Sequence, residues 1–230
     1  DPGNTGLPLT GPAKLRNILV RAVQGNFKPA IHAIGTAANE DALNAIAEIA
    51  ESFPGDRRWR IEHAQIVDPV DLPKFGRNGI IASMQPVHQT SDRTMAEARL
   101  GPNRLDGAYA WKTIANTGAM LAFGSDAPVE SPDPFAGLAA AFTRTDSDGQ
   151  PFGGWRPQEA VSREQALAAF TANASYAGFG EGPVATDAGS SDGTTDGSEV
   201  LDSGSSDGSA DGLACVTNDE CIYTDLSANL

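Results

Sequence analysis

Short apolar segments alternate with helical patterns along the first 182 residues, and this alternation restricts the folds open to the chain. The apolar segments cover residues 28–34, 59–63, 79–85 and 120–123. Runs of this length are typical of strands that are buried on both faces. Such strands, separated by helices, form a parallel sheet covered by helices, which is an α/β fold. No G-x-G-x-x-G motif follows any of them, which counts against dinucleotide binding.

Helices are predicted between and after these strands, at residues 14–24, 39–53, 68–77, 93–99, 107–117, 134–144 and 163–170. In the second of them Leu43, Ile46 and Ile49 share one face, as a helix packed on a sheet requires. Ser162 and Gln165 have the spacing of a capping box, which marks the start of the last helix.

The composition changes sharply near Glu181. Residues 183–230 are rich in Gly, Ser, Asp and Thr, and they contain ten acidic residues but no Lys or Arg. We treat them as a separate acidic tail and predict disorder at 183–214, because such a segment buries too little apolar surface to offset its ordering entropy. Of the net charge of −14, residues 1–182 therefore carry only −4. The chain has no basic stripe for nucleic acid and no apolar run of the roughly 18 residues that span a membrane.

Both cysteines, Cys215 and Cys221, lie in the acidic tail. A disulfide between them would indicate an oxidising compartment and so a periplasmic or secreted protein. Two free thiols would be compatible with the cytoplasm, and the sequence leaves the localisation open. Because residues 1–182 contain no cysteine, a metal site there must use imidazole and carboxylate ligands.

All three histidines fall at or just after the end of a predicted strand. His32 and His63 lie at the ends of the first two strands, His88 lies just after the third, and Asp126 lies just after the fourth. The sheet could be a doubly wound layer or part of a barrel; in a parallel barrel the carboxyl ends of the strands meet on one rim, where these four side chains would converge. Each could instead be a hydrogen-bonded core residue or a helix cap. Their shared position favours a site for zinc or a similar divalent ion.

Five segments resemble, in the correct order, motifs of the amidohydrolase superfamily. They are HAIGTAANEDAL, RWRIEHAQ, SMQPVHQTSD, GAMLAFGSDAPVESPDPF and SREQALAAFTANASYAGF. The resemblance covers residues 1 to about 180. Within the superfamily, the segments most resemble amidohydrolase family 3, the branch that contains N-substituted formamide deformylase. This resemblance implies a (β/α)8 barrel of the TIM type, of which residues 1–182 would supply strands five to eight. The H-x-H pair and the bridging residue of the earlier strands have no counterpart in this sequence.

The resemblance also implies a role for each candidate residue. His32, His63 and Asp126 would bind one or two divalent ions, expected to be zinc, and Asp126 would also transfer a proton. His88 would contact the substrate or support the ligands. The implied reaction is hydrolysis of a carbon–nitrogen bond other than a peptide bond, in a small amide or N-formyl compound. Thr36 stands where the family usually has Asp, and the effect of this difference is left open.

Half of a barrel leaves open sheet edges, so we expect this segment to need an upstream barrel half or an oligomer partner for closure. The alternative is a catalytically inactive fragment or relic whose acidic tail mediates a surface interaction.

Overall fold

The computed structural model describes residues 9–180 and, as backbone only, Tyr223–Leu226. The predicted disordered segment at 183–214 and the pair Cys215 and Cys221 lie outside the described residues. The short strand Tyr223–Leu226 falls in the acidic tail, where the sequence predicts no strand.

The described strands form one parallel sheet. They are β1 (Ala30–Ala33), β2 (Arg60–His63), β3 (Ile81–Met84), β4 (Leu121–Phe123) and β5 (Tyr223–Leu226). Their order across the sheet is β4-β3-β2-β1-β5, so β1 to β4 lie side by side in the order of the chain. Neighbouring parallel strands joined by helices are the arrangement of a (β/α)8 barrel, here seen over four successive strands.

Helices connect the strands close to the predicted places. They are α1 (Pro12–Gln24), α2 (Thr36–Ser52), α3 (Pro73–Arg77), α4 (Pro86–Leu100), α5 (Trp111–Asn116), α6 (Pro134–Thr143), α7 (Arg163–Phe170) and α8 (Ala172–Ala177). The capping box of Ser162 and Gln165 is confirmed at the start of α7. The predicted start of α4 at residue 93 is wrong, since α4 begins at Pro86. Proline is favoured in the first turn of a helix, where its missing N–H costs no hydrogen bond.

The sheet has one face packed against helices. Ile31, Ile61, Ala82 and Leu121 are partners in adjacent strands, and all four belong to the main hydrophobic core. The neighbouring positions Arg60, Glu62 and Ser83 are only partly buried. The sheet therefore has an apolar, helix-covered side and a polar side, as expected of an inner barrel wall. Within the described part of the chain, no helix is both long and apolar enough to cross a membrane.

The segment that precedes α5 packs against the chain that follows β2. The backbone N–H of Val67 donates to Gly107 O at 3.0 Å, and Ile66 and Ala108 form an antiparallel bridge. A Cβ atom at Gly107 would lie 1.6 Å from Val67 O, far inside contact distance. The approach of the two backbones therefore requires glycine at this position.

We expect Gly107→Ala to lower the free energy of unfolding by about 3 kcal/mol, because the added methyl group forces two backbones apart. Thermal or urea denaturation followed by circular dichroism measures the loss. Gly11→Ala is the matched control, since its Cβ would meet nothing within 4 Å. Equal stability of the two variants would show that the close approach is absent in solution.

Candidate metal centre

A break in the regular strand conformation brings His63 towards His32. The β1–β2 register places His32 level with Glu62, so regular pleating would put His32 and His63 on opposite faces of the sheet. His63 instead has a φ of 71°, and the next residue, Ala64, has a φ of 44°. The two imidazole rings lie 4.4 Å apart, edge to face. The left-handed backbone at the strand end thus redirects His63 towards the first histidine.

Three side chains converge at this end of the sheet. His63, His88 and Asp126 each offer one ligand atom, and these atoms all lie within 4.8 Å of one another. His88 lies in the first turn of α4, and Asp126 lies three residues after β4 with a φ of 58°. Asp126 is thus a second residue of the group with left-handed backbone, a conformation that costs free energy and is concentrated at functional sites.

The environment of His88 fits a metal ligand. Its Nε2 atom is buried, and no hydrogen-bond partner for it exists among the described residues. The nearest oxygen of Asp126 is 3.8 Å away, too far for a hydrogen bond but suitable for two ligands of one ion. A buried polar atom without a partner costs about 1–3 kcal/mol, which a bound cation would offset.

Gln85 sets the orientation of His63. Its buried Oε1 lies 2.9 Å from Nδ1 of His63, and an amide oxygen can only accept, so Nδ1 carries the proton. The lone pair of His63 is then on Nε2 and can bind a cation, as in many metal sites where the second ring nitrogen is hydrogen-bonded. Sequence reasoning missed Gln85. Its position directly after β3, level with the other strand ends, was the available signal.

His32 lies beside this group, next to His63. Its ring contacts that of His63, and the rings of His63 and His88 are stacked 5.8 Å apart. The structure therefore brings all four predicted residues to one rim. The tightest group contains His88, however, which the resemblance places with the substrate, and leaves His32 at its edge. The role of His32 as a ligand stays a prediction.

Asn39 fastens the two loops that carry the first two histidines. Its buried Nδ2 lies 2.9–3.3 Å from four backbone oxygens: one at the last residue of β1, two directly after β1 and one after β2, namely those of Ala33, Ile34, Gly35 and Ile66. Two amide hydrogens therefore link the chain after His32 to the chain after His63. The sequence placed Asn39 on a helix but gave no sign of this function.

Residues 3–182 match the family model described as the amidohydrolase family. The chain belongs to this family. Protein LONG AFTER FAR-RED 3 of Arabidopsis thaliana is 36% identical over 180 residues, which are 77% of this chain and 30% of that protein. The putative amidohydrolase YtcJ of Bacillus subtilis (strain 168) is 33% identical over 173 residues, 74% of this chain and 32% of that protein.

The solved structures agree with the family assignment. An uncharacterized metal-dependent hydrolase from Pyrococcus furiosus aligns with a TM-score of 0.66 at 30% identity, over 79% of this chain and 35% of that chain. A second such hydrolase, from Pyrococcus horikoshii OT3, aligns with a TM-score of 0.68 at 28% identity, over 78% and 35% of the two chains. The amidohydrolase chain described here thus spans about a third of the length of these relatives. The expected partial barrel is confirmed.

Burial lowers the pKa of His63 below its usual 6.5, and the neighbouring imidazoles of His32 and His88 act in the same direction, against the carboxylate of Asp126. Above pH 6.5 the residue is neutral in both the folded and the unfolded chain, so it does not change stability there. Below pH 6.5 the unfolded chain takes up a proton that the folded chain resists, and the folded state loses stability.

We therefore expect the metal-free chain to lose stability as the pH falls from 6.5, by at most about 1.4 kcal/mol per pH unit from this group. Urea unfolding in the presence of a chelator, at pH 5 to 8, measures how steeply the free energy of unfolding changes with pH. In His63→Gln, which cannot titrate, the slope in this range should be smaller. An unchanged slope would mean that His63 titrates alike in both states.

Proposed function

We propose that this chain supplies part of the active site of a metal-dependent hydrolase that cleaves carbon–nitrogen bonds other than peptide bonds, in small amide or N-formyl compounds. The observation that carries the proposal is the convergence of His63, His88 and Asp126, with a buried imidazole nitrogen that lacks a hydrogen-bond partner among the described residues. Membership of the amidohydrolase family and the likeness to metal-dependent hydrolases support it.

His63 and Asp126 form the centre of the proposed ligand set, because the resemblance and the geometry both include them. His88 and His32 each lie against the His63 ring and complete the set. Imidazole nitrogen and carboxylate oxygen without thiolate suit zinc, and three histidines with one carboxylate would supply ligands for one or two ions.

The reaction requires a strong nucleophile and a polarised carbonyl group. A divalent ion bound here would supply both, by lowering the pKa of its water to about 7 and by drawing electrons from the carbonyl oxygen. Asp126 would accept the proton of the attacking water and return it to the departing amine nitrogen. Its side chain is 36% exposed, so substrate and water can reach it, whereas the buried His63 is held in place by Gln85.

Closure of the barrel is part of the proposal. In the described sheet β4 is an edge strand, and the polar positions Arg60, Glu62 and Ser83 remain partly exposed. We propose that a further barrel segment or a partner chain pairs with this sheet and contributes the remaining ligands. The substrate is then a small molecule bound between the two parts. The localisation stays a prediction, since both cysteines lie outside the described residues.

The reading of the chain as an inactive relic has less support. Left-handed backbone at His63 and Asp126 and a buried imidazole nitrogen without a hydrogen bond each cost free energy, and a chain without a function at this site has no reason to keep them.

We expect the purified full chain to bind zinc at this site, and His63→Ala and Asp126→Asn each to weaken binding at least about tenfold, because each removes a ligand. Isothermal titration calorimetry measures the affinity. Glu130→Gln is the control, since it removes a nearby carboxylate that lies outside the group. Zinc binding by both variants at wild-type affinity would place the metal elsewhere.

The type of reaction is tested with the zinc-loaded chain, completed by the barrel segment or partner chain that pairs with its sheet, and with matched panels of N-formyl amines, N-acyl amines and esters. Hydrolysis should release free amine, and Asp126→Asn should lower the rate about 100-fold or more, because the proton acceptor is lost. Glu130→Gln should keep the wild-type rate. Cleavage of esters without cleavage of amides would contradict the assignment to carbon–nitrogen bonds.

A further inference from the structure

Helix α4 carries His88 in its first turn and is held by polar contacts further along its length. Asp92 follows His88 by four residues and therefore lies on the same side of the helix. Glu97 lies in the next turns. Both carboxylates accept hydrogen bonds from residues of other segments, so the position of the helix is fixed by groups that lie outside the metal centre.

The first of these contacts connects α4 to the chain that follows His63. Nε2 of Gln65 donates to Asp92 Oδ2 at 3.1 Å and to Tyr109 Oη at 2.8 Å. The hydroxyl of Tyr109 donates to the same Asp92 oxygen at 3.0 Å. Burial and the Asp92 carboxylate raise the pKa of Tyr109, so the phenol stays protonated and remains a donor. Gln65 stands two residues after His63, and this contact thus joins the segments of two histidines.

A second set of hydrogen bonds connects Tyr109 to α4 through Arg144 and Trp155. The guanidinium of Arg144 donates from Nη1 to Tyr109 O and from Nε to Trp155 O, both at 2.9 Å. The indole Nε1 of Trp155 donates to Glu97 Oε1 at 2.6 Å. We name the six residues Gln65, Asp92, Glu97, Tyr109, Arg144 and Trp155 the anchoring ring. It runs from α4 through three other segments and returns to α4.

Arg144 is the member whose burial is hardest to explain by packing alone. It is 0% exposed, and it lies 4.1 Å from the centre of the Trp111 ring. Burial lowers its pKa from 12.5 to about 9, so it still carries its charge at neutral pH. A buried charge is costly, and apolar residues of similar volume often stabilise a fold as well. What a buried polar network adds is a defined geometry, because its hydrogen bonds depend on direction.

We propose that the anchoring ring positions α4 so that the imidazole of His88 meets His63 and Asp126, with Asp92 and Tyr109 as its decisive members. These are positioning residues, since none of the six belongs to the ligand group. The inference rests on the proposed metal site, where His88 lies one helical turn before Asp92.

The test uses the full chain with Asp92→Asn, which removes the charge and keeps the shape, and Tyr109→Phe, which removes one hydroxyl. We expect each to weaken zinc affinity about 10- to 100-fold, the usual effect of losing a group that orients a ligand. The visible absorption of bound Co²⁺ should also change, because the geometry at His88 changes. Amide hydrogen exchange of residues 86–100 should become faster, whereas that of residues 36–52 in α2 should not.

Thr113→Val is the matched control, because it removes a hydroxyl that donates to Glu159 and leaves α4 untouched. It should lower stability without altering zinc affinity or exchange in α4. If amide hydrogen exchange in α4 is unchanged in both Asp92→Asn and Tyr109→Phe, the proposal is overturned. If exchange is faster but zinc affinity and the Co²⁺ spectrum stay as in the wild type, the anchoring ring holds the helix without positioning His88, which overturns that part of the proposal. Failure of the unaltered chain to bind zinc would overturn the proposed function instead, and hydrogen exchange would still decide whether the ring holds the helix.

Discussion

The left-handed turn at the end of β2 is the constraint on which the site depends. Parallel pairing alone would leave His32 and His63 on opposite faces of the sheet. Left-handed backbone costs about 1–3 kcal/mol at a residue other than glycine and persists only where its surroundings hold it. Here the N–H groups of Ala64 and Ile66 donate to the oxygens of Ala33 and Ile34, and Asn39 binds both loops. The pairing of β1 and β2 thus continues past the strands and keeps the turn in place.

The sequence predicted the strands well because their signal is local. A short apolar run carries its own evidence, and all four strands of the barrel part lie within their predicted ranges. Convergence of His32, His63, His88 and Asp126 on one rim followed from the same signal. Gln85, Asn39 and the anchoring ring were missed, because their contacts join residues far apart in the sequence that share no local pattern. Gln85 lies 22 residues from His63, Asn39 lies 27 residues from Ile66, and Trp155 lies 58 residues from Glu97. The left-handed backbone of His63 could not be predicted either, since it results from packing after the strand.

Geometry and resemblance agree on most of the site but weigh two histidines differently. The resemblance counts His32 as a ligand and His88 as an accessory, whereas the geometry groups His88 with His63 and Asp126. Both histidines contact the ring of His63, so the difference concerns the division of roles within one cluster. Family membership is settled by residues 3–182. The narrower likeness to formamide deformylases stays a prediction, because substrate choice in barrels depends on loops rather than on the shared rim.

The anchoring ring also has a consequence for the order in which this chain can mature on the ribosome. Gln65, Asp92, Glu97 and Tyr109 are synthesised well before Arg144 and Trp155, so the contacts of Asp92 can form before the contact of Glu97. Domains fold as units during synthesis, and contacts between distant residues form late because loop closure costs entropy. A nascent chain that ends before residue 144 therefore carries His88 on a helix that still lacks the contact of Glu97 with Trp155. The proposed positioning of His88 should accordingly be completed late in biosynthesis, after Trp155 has left the ribosome.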